Sequence, residues 1–145
     1  MKYNLRSWLH VALQIGIFFY LFITTRFYWH LLSLLFMAAG FVLAVWAIYQ
    51  FRKGVLTAFP DPMPGISLIL SGPYSKIRHP MYSSLFMGLT GLLLLDFSWW
   101  RIVIAVFFTV NQVLKLLYEE KMLLQRMPEY QKYMQNTWRL FPFIY

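Results

Sequence analysis

The chain has 145 residues, of which 60% are hydrophobic, 21% aromatic and only 12% charged, with a formal net charge of +8. A soluble domain carries about 25% charged residues, so a water-exposed globule of this length has too little polar surface to cover its apolar side chains. Cysteine is absent, which excludes a disulfide framework, a thiolate metal site and a cysteine nucleophile. His10, His30 and His79 are too scattered to suggest a metal cluster, so no metal is expected.

Four apolar segments follow one another, at Trp8–Thr24, Leu31–Phe51, Met81–Leu95 and Ile102–Tyr118. A spanning helix needs roughly 17–25 apolar residues. The first segment follows Lys2 and Arg6, as the apolar part of a signal peptide would. Bulky Thr25-Arg26-Phe27-Tyr28-Trp29 stands where a small-residue cleavage site belongs, so a retained helix is expected. The second segment is long enough to span. The third is short, and Asp96-Phe97-Ser98-Trp99-Trp100 is expected to complete it at the interface, where Trp is favoured. The third and fourth segments are expected to form a tight helical hairpin, with a re-entrant pair as the alternative. Beyond Tyr118, Glu119 to Gln135 keeps Met122, Leu123, Leu124, Met127, Tyr130, Tyr133 and Met134 among its charges. That pattern predicts an amphipathic surface helix, broken or kinked at Pro128. The closing run from Trp138 to Tyr145 is aromatic and is expected to pack back on the bundle or the membrane surface. The fold class predicted is therefore all-α: one integral membrane domain of about four transmembrane helices plus a C-terminal amphipathic helix.

A basic chain can bind nucleic acid. Here the basic residues lie at the ends of apolar runs, which fits membrane topology and makes a nucleic-acid partner unexpected. Four spans put Lys2, Arg6, Arg52, Lys53, Lys76, Arg78, Lys121, Arg126, Lys132 and Arg139 on one side, with Lys115 near it and only Arg26 and Arg101 opposite. The positive-inside rule then predicts a multi-pass protein with both termini and the central loop in the cytoplasm.

The central loop, Arg52 to His79, ends in Gly72-Pro73-Tyr74-Ser75-Lys76-Ile77-Arg78-His79 and runs directly into Pro80-Met81-Tyr82. Ile66-Ser67-Leu68-Ile69-Leu70, earlier in the loop, could form a short extended piece packed on the bundle. Polar chemistry is costly to keep at the mouth of a membrane helix, which points to a functional site. The alternative is an interfacial anchor whose Arg and Tyr snorkel to headgroups. Pro80 suits the first position of a helix and pushes His79 towards an extended conformation. Tyr74, Arg78, His79 and Tyr82 would then surround a helix N-terminus, which favours anions.

A second constellation is Asn111, Lys115, Glu119 and Met122, at near-helical spacing. Lys115 and Glu119 are four apart and could neutralise each other, although Glu before Lys is the better order. The adjacent Glu119 and Glu120 point in different directions, so one can pair locally while the other faces a cavity. Ser84, Gly88 and Gly91 would let a neighbouring helix approach closely. His10 and Gln14 are expected to offer an interhelical hydrogen-bonding face.

Leu56-Thr57-Ala58-Phe59-Pro60-Asp61-Pro62-Met63-Pro64-Gly65, Leu70-Ser71-Gly72-Pro73-Tyr74, Arg78-His79-Pro80-Met81-Tyr82, Glu119-Glu120, Tyr130-x-x-Tyr133 and Arg139-x-x-Pro142 occur in one order. This ordered set resembles the isoprenylcysteine carboxyl methyltransferase family and its small bacterial relatives, which are related to phospholipid N-methyltransferases. The resemblance covers about residues 52 to 145, and the first two helices carry no signature. It implies S-adenosyl-L-methionine (S-adenosylmethionine) as cofactor, bound on the cytoplasmic side, and a lipophilic or lipid-borne methyl acceptor reached from the bilayer, a carboxylate by family pattern. Matching positions imply a cofactor pocket of Ile66, Ser67, Leu68, Ile69, Tyr74, Arg78, His79, Pro80, Met81, Tyr82 and Glu119. They imply acceptor contacts at Lys115, Arg126, Tyr130, Tyr133 and Arg139. No residue is an obvious base, although Glu120 or a tyrosinate is conceivable. The chain departs from the pattern at Lys115 (Arg in the isoprenylcysteine enzymes), at Met127-Pro128 (Phe-Gly) and at Ser84 (Gly). Lys is not equivalent to Arg for bidentate carboxylate recognition. Two rivals remain at this stage: a membrane NADPH-dependent sterol-type reductase, whose His-Pro-Asn-Tyr and Gly-Glu are not matched by Met81 and Ser83-Ser84, and a non-catalytic lipid-binding membrane subunit.

Overall fold

The computed structural model describes residues 5–26, 28, 30–50 and 68–144. Their elements are α1 (Leu5–Thr24), α2 (Leu31–Gln50), a 3-10 turn (Gly72–Ser75), α3 (Pro80–Leu95), α4 (Trp99–Arg126) and α5 (Tyr130–Gln135). The protein is an all-α membrane bundle. α1, α2 and α4 are long and apolar enough to cross a membrane, and the 16-residue α3 is a shorter apolar helix. Large apolar side chains on their outward faces, among them Phe19, Ile23, Phe41, Val42, Val106 and Phe107, are exposed. A face of that kind matches lipid rather than water.

The core lies where α1, α3 and α4 meet, around Leu21, Leu89, Leu92, Ala105 and Phe108. Phe108 stands edge-on to Phe86 and also packs against Phe18. α2 joins through small residues. Its buried positions are Ser33, Gly40 and Ala47, seven apart, so they form one seam along the helix. α3 answers with Ser84, Gly88 and Gly91. A Cβ on Gly40 would come within 2.9 Å of the Ser84 carbonyl oxygen, and one on Gly91 within 3.1 Å of the Ser33 carbonyl oxygen. Ser33 Oγ donates to the Gly91 carbonyl at 2.6 Å across this seam. The small residues of α3 thus serve close helix approach, as their spacing predicted.

Two expectations are corrected by the helix ends. Trp99 and Trp100 do not extend the third segment. α3 stops at Leu95, Asp96 follows at φ −145°, and the Trp pair opens α4. The tail helix does not begin afresh after Tyr118 either. α4 runs unbroken for 28 residues to Arg126. Glu119 to Arg126 contains only good or neutral helix formers, so nothing ends the helix until Pro128 forces Met127 out of the helical region, to φ −133° and ψ 96°. At 1.5 Å per residue α4 is about 42 Å long. That exceeds the roughly 30 Å hydrocarbon core, and so its charged last turns stand beyond the apolar slab.

The end of the bundle near the α3–α4 turn is closed by Arg101, which is buried. It donates to the Leu21 carbonyl (3.1 Å), to Thr24 Oγ1 (3.3 Å) and to Thr25 Oγ1, and lies 3.5 Å from Asp96. This ties α1, α3 and α4 together at that end. The tightness of the α2–α3 seam yields a direct test. Gly40→Val should lower the thermal midpoint of the detergent-purified protein, because a branched side chain meets backbone there; overpacking of this kind costs typically 1–3 kcal/mol. Gly16→Val, at a position with open space around it, is the control and should leave the midpoint nearly unchanged.

Candidate active site

The opposite end of the bundle gathers the loop before α3, the last turns of α4, α5 and the tail. The loop arrives in a left-handed turn at Gly72 (φ 59°), where a Cβ would sit 2.7 Å from the Gln50 side chain. Pro73 and Tyr74 are buried in the 3-10 turn. Pro80 opens α3 and keeps His79 out of the helical region, at φ −125° and ψ 60°, short of the extended conformation that the sequence predicts. The tail then returns beside this loop. Arg78 N–H donates to the Trp138 carbonyl (2.7 Å), His79 N–H to the Arg139 carbonyl (3.0 Å), and Trp138 N–H to the Lys76 carbonyl (3.0 Å), forming a parallel bridge between Ile77 and Trp138. Ser83 Oγ donates to the Leu140 carbonyl at 2.5 Å, and Leu140 is buried with Tyr82 and Leu116. The closing aromatic run therefore packs back on the bundle. Its last described residues, Phe143 and Ile144, are exposed.

Glu120 holds this assembly. Its carboxylate accepts from Arg78 Nε (3.0 Å) and Arg139 Nε (3.0 Å), and His79 Nε2 lies 3.4 Å away. That last contact is not aligned as a hydrogen bond, and the buried Nε2 has no hydrogen-bond partner among the described residues. Arg78 also donates through Nη1 to the carbonyls of Met134 (2.7 Å) and Thr137 (2.5 Å). One carboxylate on α4 thus binds the loop and the tail at once. A carboxylate occupied by two guanidiniums is poorly placed to take a proton, so this geometry argues against Glu120 as a base.

Glu119 faces elsewhere. Tyr82 Oη donates to its Oε2 at 2.7 Å. Lys115 Nζ lies 5.4 Å from the Tyr82 ring centroid, within cation–π range. It also donates to Gln14 Oε1 on α1 at 2.7 Å. One turn further in, His10 Nδ1 and Asn111 Oδ1 are 2.6 Å apart, and Asn111 Nδ2 donates to the His10 carbonyl at 3.1 Å. His10 and Gln14 do form an interhelical face, and its partner is the polar column of α4. The rings of His79 and Tyr82 meet edge-to-face at 5.4 Å.

Tyrosines complete the surround. Tyr133 Oη donates to the Tyr74 carbonyl at 2.6 Å. Tyr130 is 2% exposed, and its hydroxyl has no hydrogen-bond partner among the described residues. Burial, then the negative charge of Glu119, pushes the Tyr74 hydroxyl well above the ordinary tyrosine value. Burial, then Glu120 and Glu119, does the same at Tyr130. Burial pushes Tyr133 up to about 12, against the opposing pull of Arg78. Each shift favours the neutral phenol over the tyrosinate.

The structure brings Tyr74, Arg78, His79, Tyr82, Lys115, Glu119, Glu120, Tyr130, Tyr133 and Arg139 to one end of the bundle. Pro80 and Met81 form the first turn of α3 beside them. Leu68 and Ile69 are half-buried and irregular, and Ile66 and Ser67 lie outside the described residues. Arg126 is exposed in the last turn of α4, two turns beyond Glu119. The contribution of α1 through Gln14 was not legible as part of the site, and Gln112, a fully buried amide on α4, escaped notice beside its charged neighbours.

A family model described as phospholipid methyltransferase (PEMT) matches residues 28–130. The match takes in α2, α3, α4 and the residues that converge at this end of the bundle, up to Tyr130. The chain belongs to the phospholipid methyltransferase family and is a membrane methyltransferase. No curated protein and no solved structure gives a match.

The clamp at Glu120 can be tested apart from any activity. Glu120→Gln leaves two guanidiniums facing a neutral amide, and breaking a buried pair in this way costs about 3–5 kcal/mol. The lower end applies, since the Arg139 side chain is 27% exposed. The variant should melt earlier and lose its C-terminal segment to trypsin faster than the parent, as followed by mass spectrometry of the released peptides.

Proposed function

We propose that this membrane methyltransferase takes its methyl group from S-adenosylmethionine bound beside Tyr82 and Glu119, and passes it to a lipophilic or lipid-borne acceptor at the cytoplasmic face. The observation that carries the reading is the 2.7 Å hydrogen bond from Tyr82 to Glu119, which joins the start of α3 to the end of α4. The residues around that bond fit the cofactor's chemistry. Glu119 can accept from its ammonium or its ribose hydroxyls. The buried His79 Nε2 and Tyr130 hydroxyl have no hydrogen-bond partner among the described residues, and the positive dipole end of α3 beside them suits its carboxylate. Tyrosine faces suit a sulfonium cation. When bound, the cofactor supplies an electrophilic methyl group that needs no metal.

The remaining work falls to positioning. A dry, rigid surround that aligns donor and acceptor can supply much of the acceleration. Lys115 is a cation held in place by Gln14 and stacked on Tyr82, next to Glu119. It is suited to an anionic group on the acceptor, a carboxylate as the isoprenylcysteine resemblance implies or a phosphate as the matched family's name suggests. A carboxylate acceptor is already a nucleophile at neutral pH and needs no base. That agrees with a site whose second glutamate is occupied and whose tyrosines favour the neutral phenol. The excess of basic residues at this end of the bundle supports four crossings with both termini in the cytoplasm.

Glu119→Gln should abolish S-adenosylmethionine binding in isothermal titration calorimetry while leaving the thermal midpoint close to that of the parent. Unchanged affinity would remove Glu119 from the site. Methyl-labelled cofactor incubated with the protein and a total lipid extract should yield a labelled lipid-soluble product. Lys115→Ala should weaken acceptor use at least tenfold with little change in cofactor affinity. Failure to bind any nucleoside cofactor would favour a non-catalytic lipid-binding role.

A further inference from the structure

The segment after α5 runs in the same direction as α3. Trp138 pairs with Lys76 and Arg78, the Arg139 carbonyl accepts from His79 N–H, and the Leu140 carbonyl accepts from Ser83 Oγ in the first turn of the helix. Leu140 and Phe141 then pack with Tyr82, Leu116 and Phe86. The tail therefore descends beside α3, from the polar end of the bundle towards its apolar part. α3 has 16 residues, which is about 24 Å at 1.5 Å per residue and less than the roughly 30 Å hydrocarbon core. Its far end is followed by Asp96, bound to Arg101, and by the exposed Trp99 and Trp100, which suit the opposite interface. The first turn of α3, and the tail residues beside it, consequently lie at the edge of the apolar slab.

There the chain turns. Ile144 N–H donates to the Phe141 carbonyl at 3.2 Å, with Pro142 and Phe143 between them. Phe143 takes φ 67°, a conformation that the third position of a turn ordinarily gives to Gly or Asn. A bulky residue held there is strained, and strain of this kind is kept where the surroundings enforce it and a function uses it. The Trp138 ring, with its centroid 4.8 Å from that of Phe143, braces the turn. The tip shows two large apolar side chains outwards, Phe143 at 87% and Ile144 at 82% exposure. Lys76, Lys121, Arg126 and Lys132 are exposed at the same end of the bundle, and Glu129 is the one exposed acid among the described residues. An apolar tip with a basic rim is complementary to an anionic lipid surface, where large apolar side chains enter the acyl boundary and cations meet the headgroups.

We propose that the Phe141–Ile144 turn is a wedge that inserts Phe143 and Ile144 into an anionic phospholipid leaflet at the site end of the bundle. The same segment carries Arg139, bound to Glu120, and Leu140, packed on Tyr82. Lipid contact at the tip thus supports the Glu120 clamp from outside and keeps the tail docked beside Tyr82. The inference rests on the membrane bundle and the course of the tail, and holds whatever group the site transfers.

The chain has no cysteine, so Ile144→Cys gives a single attachment point for an environment-sensitive fluorophore in the otherwise intact protein. Gln135→Cys, at an exposed position of α5, is the water-facing control. In vesicles of phosphatidylcholine with about one quarter phosphatidylglycerol, the label at 144 should emit at shorter wavelength than the label at 135. It should be quenched by a phosphatidylcholine spin-labelled near the headgroup, whereas the label at 135 should respond to aqueous iodide. Vesicles of phosphatidylcholine alone should cut the lipid quenching at 144 about twofold or more, since the rim then loses its partner. Ile144→Ser leaves the contact between Trp138 and Phe143 in place, so the variant is expected to fold. In the anionic vesicles it should release the tail to trypsin about twofold faster than the parent or more, having lost apolar surface from the bilayer. Iodide quenching as strong at 144 as at 135, equal lipid quenching in neutral and anionic vesicles, or release of the Ile144→Ser tail at the parent rate would overturn the proposal. So would self-quenching at 144 that vanishes on dilution with unlabelled protein, which would put a second copy of the chain on the tip.

Discussion

The carboxylate of Glu120 sits between two guanidiniums that come from opposite directions in the chain, Arg78 from the loop before α3 and Arg139 from the tail. Among the described residues, neither segment is a long regular element. The loop contributes a 3-10 turn and the tail a single parallel bridge. Their positions are set by charge-assisted hydrogen bonds to a rigid helix, which are shorter and stronger than neutral ones. Remove that anchor and the backbone pairing of residues 76–79 with 138–139 has little to support it. His79, Tyr82 and Tyr130 owe their convergence to this arrangement.

Adjacent glutamates divide two tasks that one residue could not perform. A helix turns about 100° per residue, so Glu119 and Glu120 look into different surroundings. Glu120 is buried and saturated by cations. Glu119 is half-buried, bonded to one phenol and close to a held ammonium. The first arrangement builds structure, and the second leaves a carboxylate with a single hydrogen-bond donor among the described residues. The same economy appears along α4 as a whole, whose charged and polar residues serve in turn as end staple, helix contact and site.

The helices were legible because apolar runs of 16 to 20 residues with proline and turn residues between them leave few alternatives. His79 and Pro80 were readable for a local reason, the steric effect of proline on its neighbours. The end of α4 was misread because a fall in hydropathy at Glu119 was taken as the end of a helix. Hydropathy reports the solvent and propensity reports the backbone, and here only the solvent changes. The pairing of Trp138 with Lys76 and Arg78 joins positions more than 55 residues apart, and no local pattern encodes it. Lys115 looked like an intrahelical partner for Glu119 because spacing within one helix is visible in a sequence, whereas its partner Gln14 belongs to a helix about 100 residues earlier.

A helix of about 42 Å in a slab of about 30 Å also acts as a ruler. The Trp pair at its start and the charges near its end set how deep the polar column rides relative to the headgroups. In a thicker bilayer the protein must tilt less or thin the lipid around it, at a cost of fractions of a kcal/mol per ångström of mismatch. Membrane thickness, and with it acyl-chain length and sterol content, thereby becomes a control on how deep Lys115 and Glu119 sit below the bilayer surface.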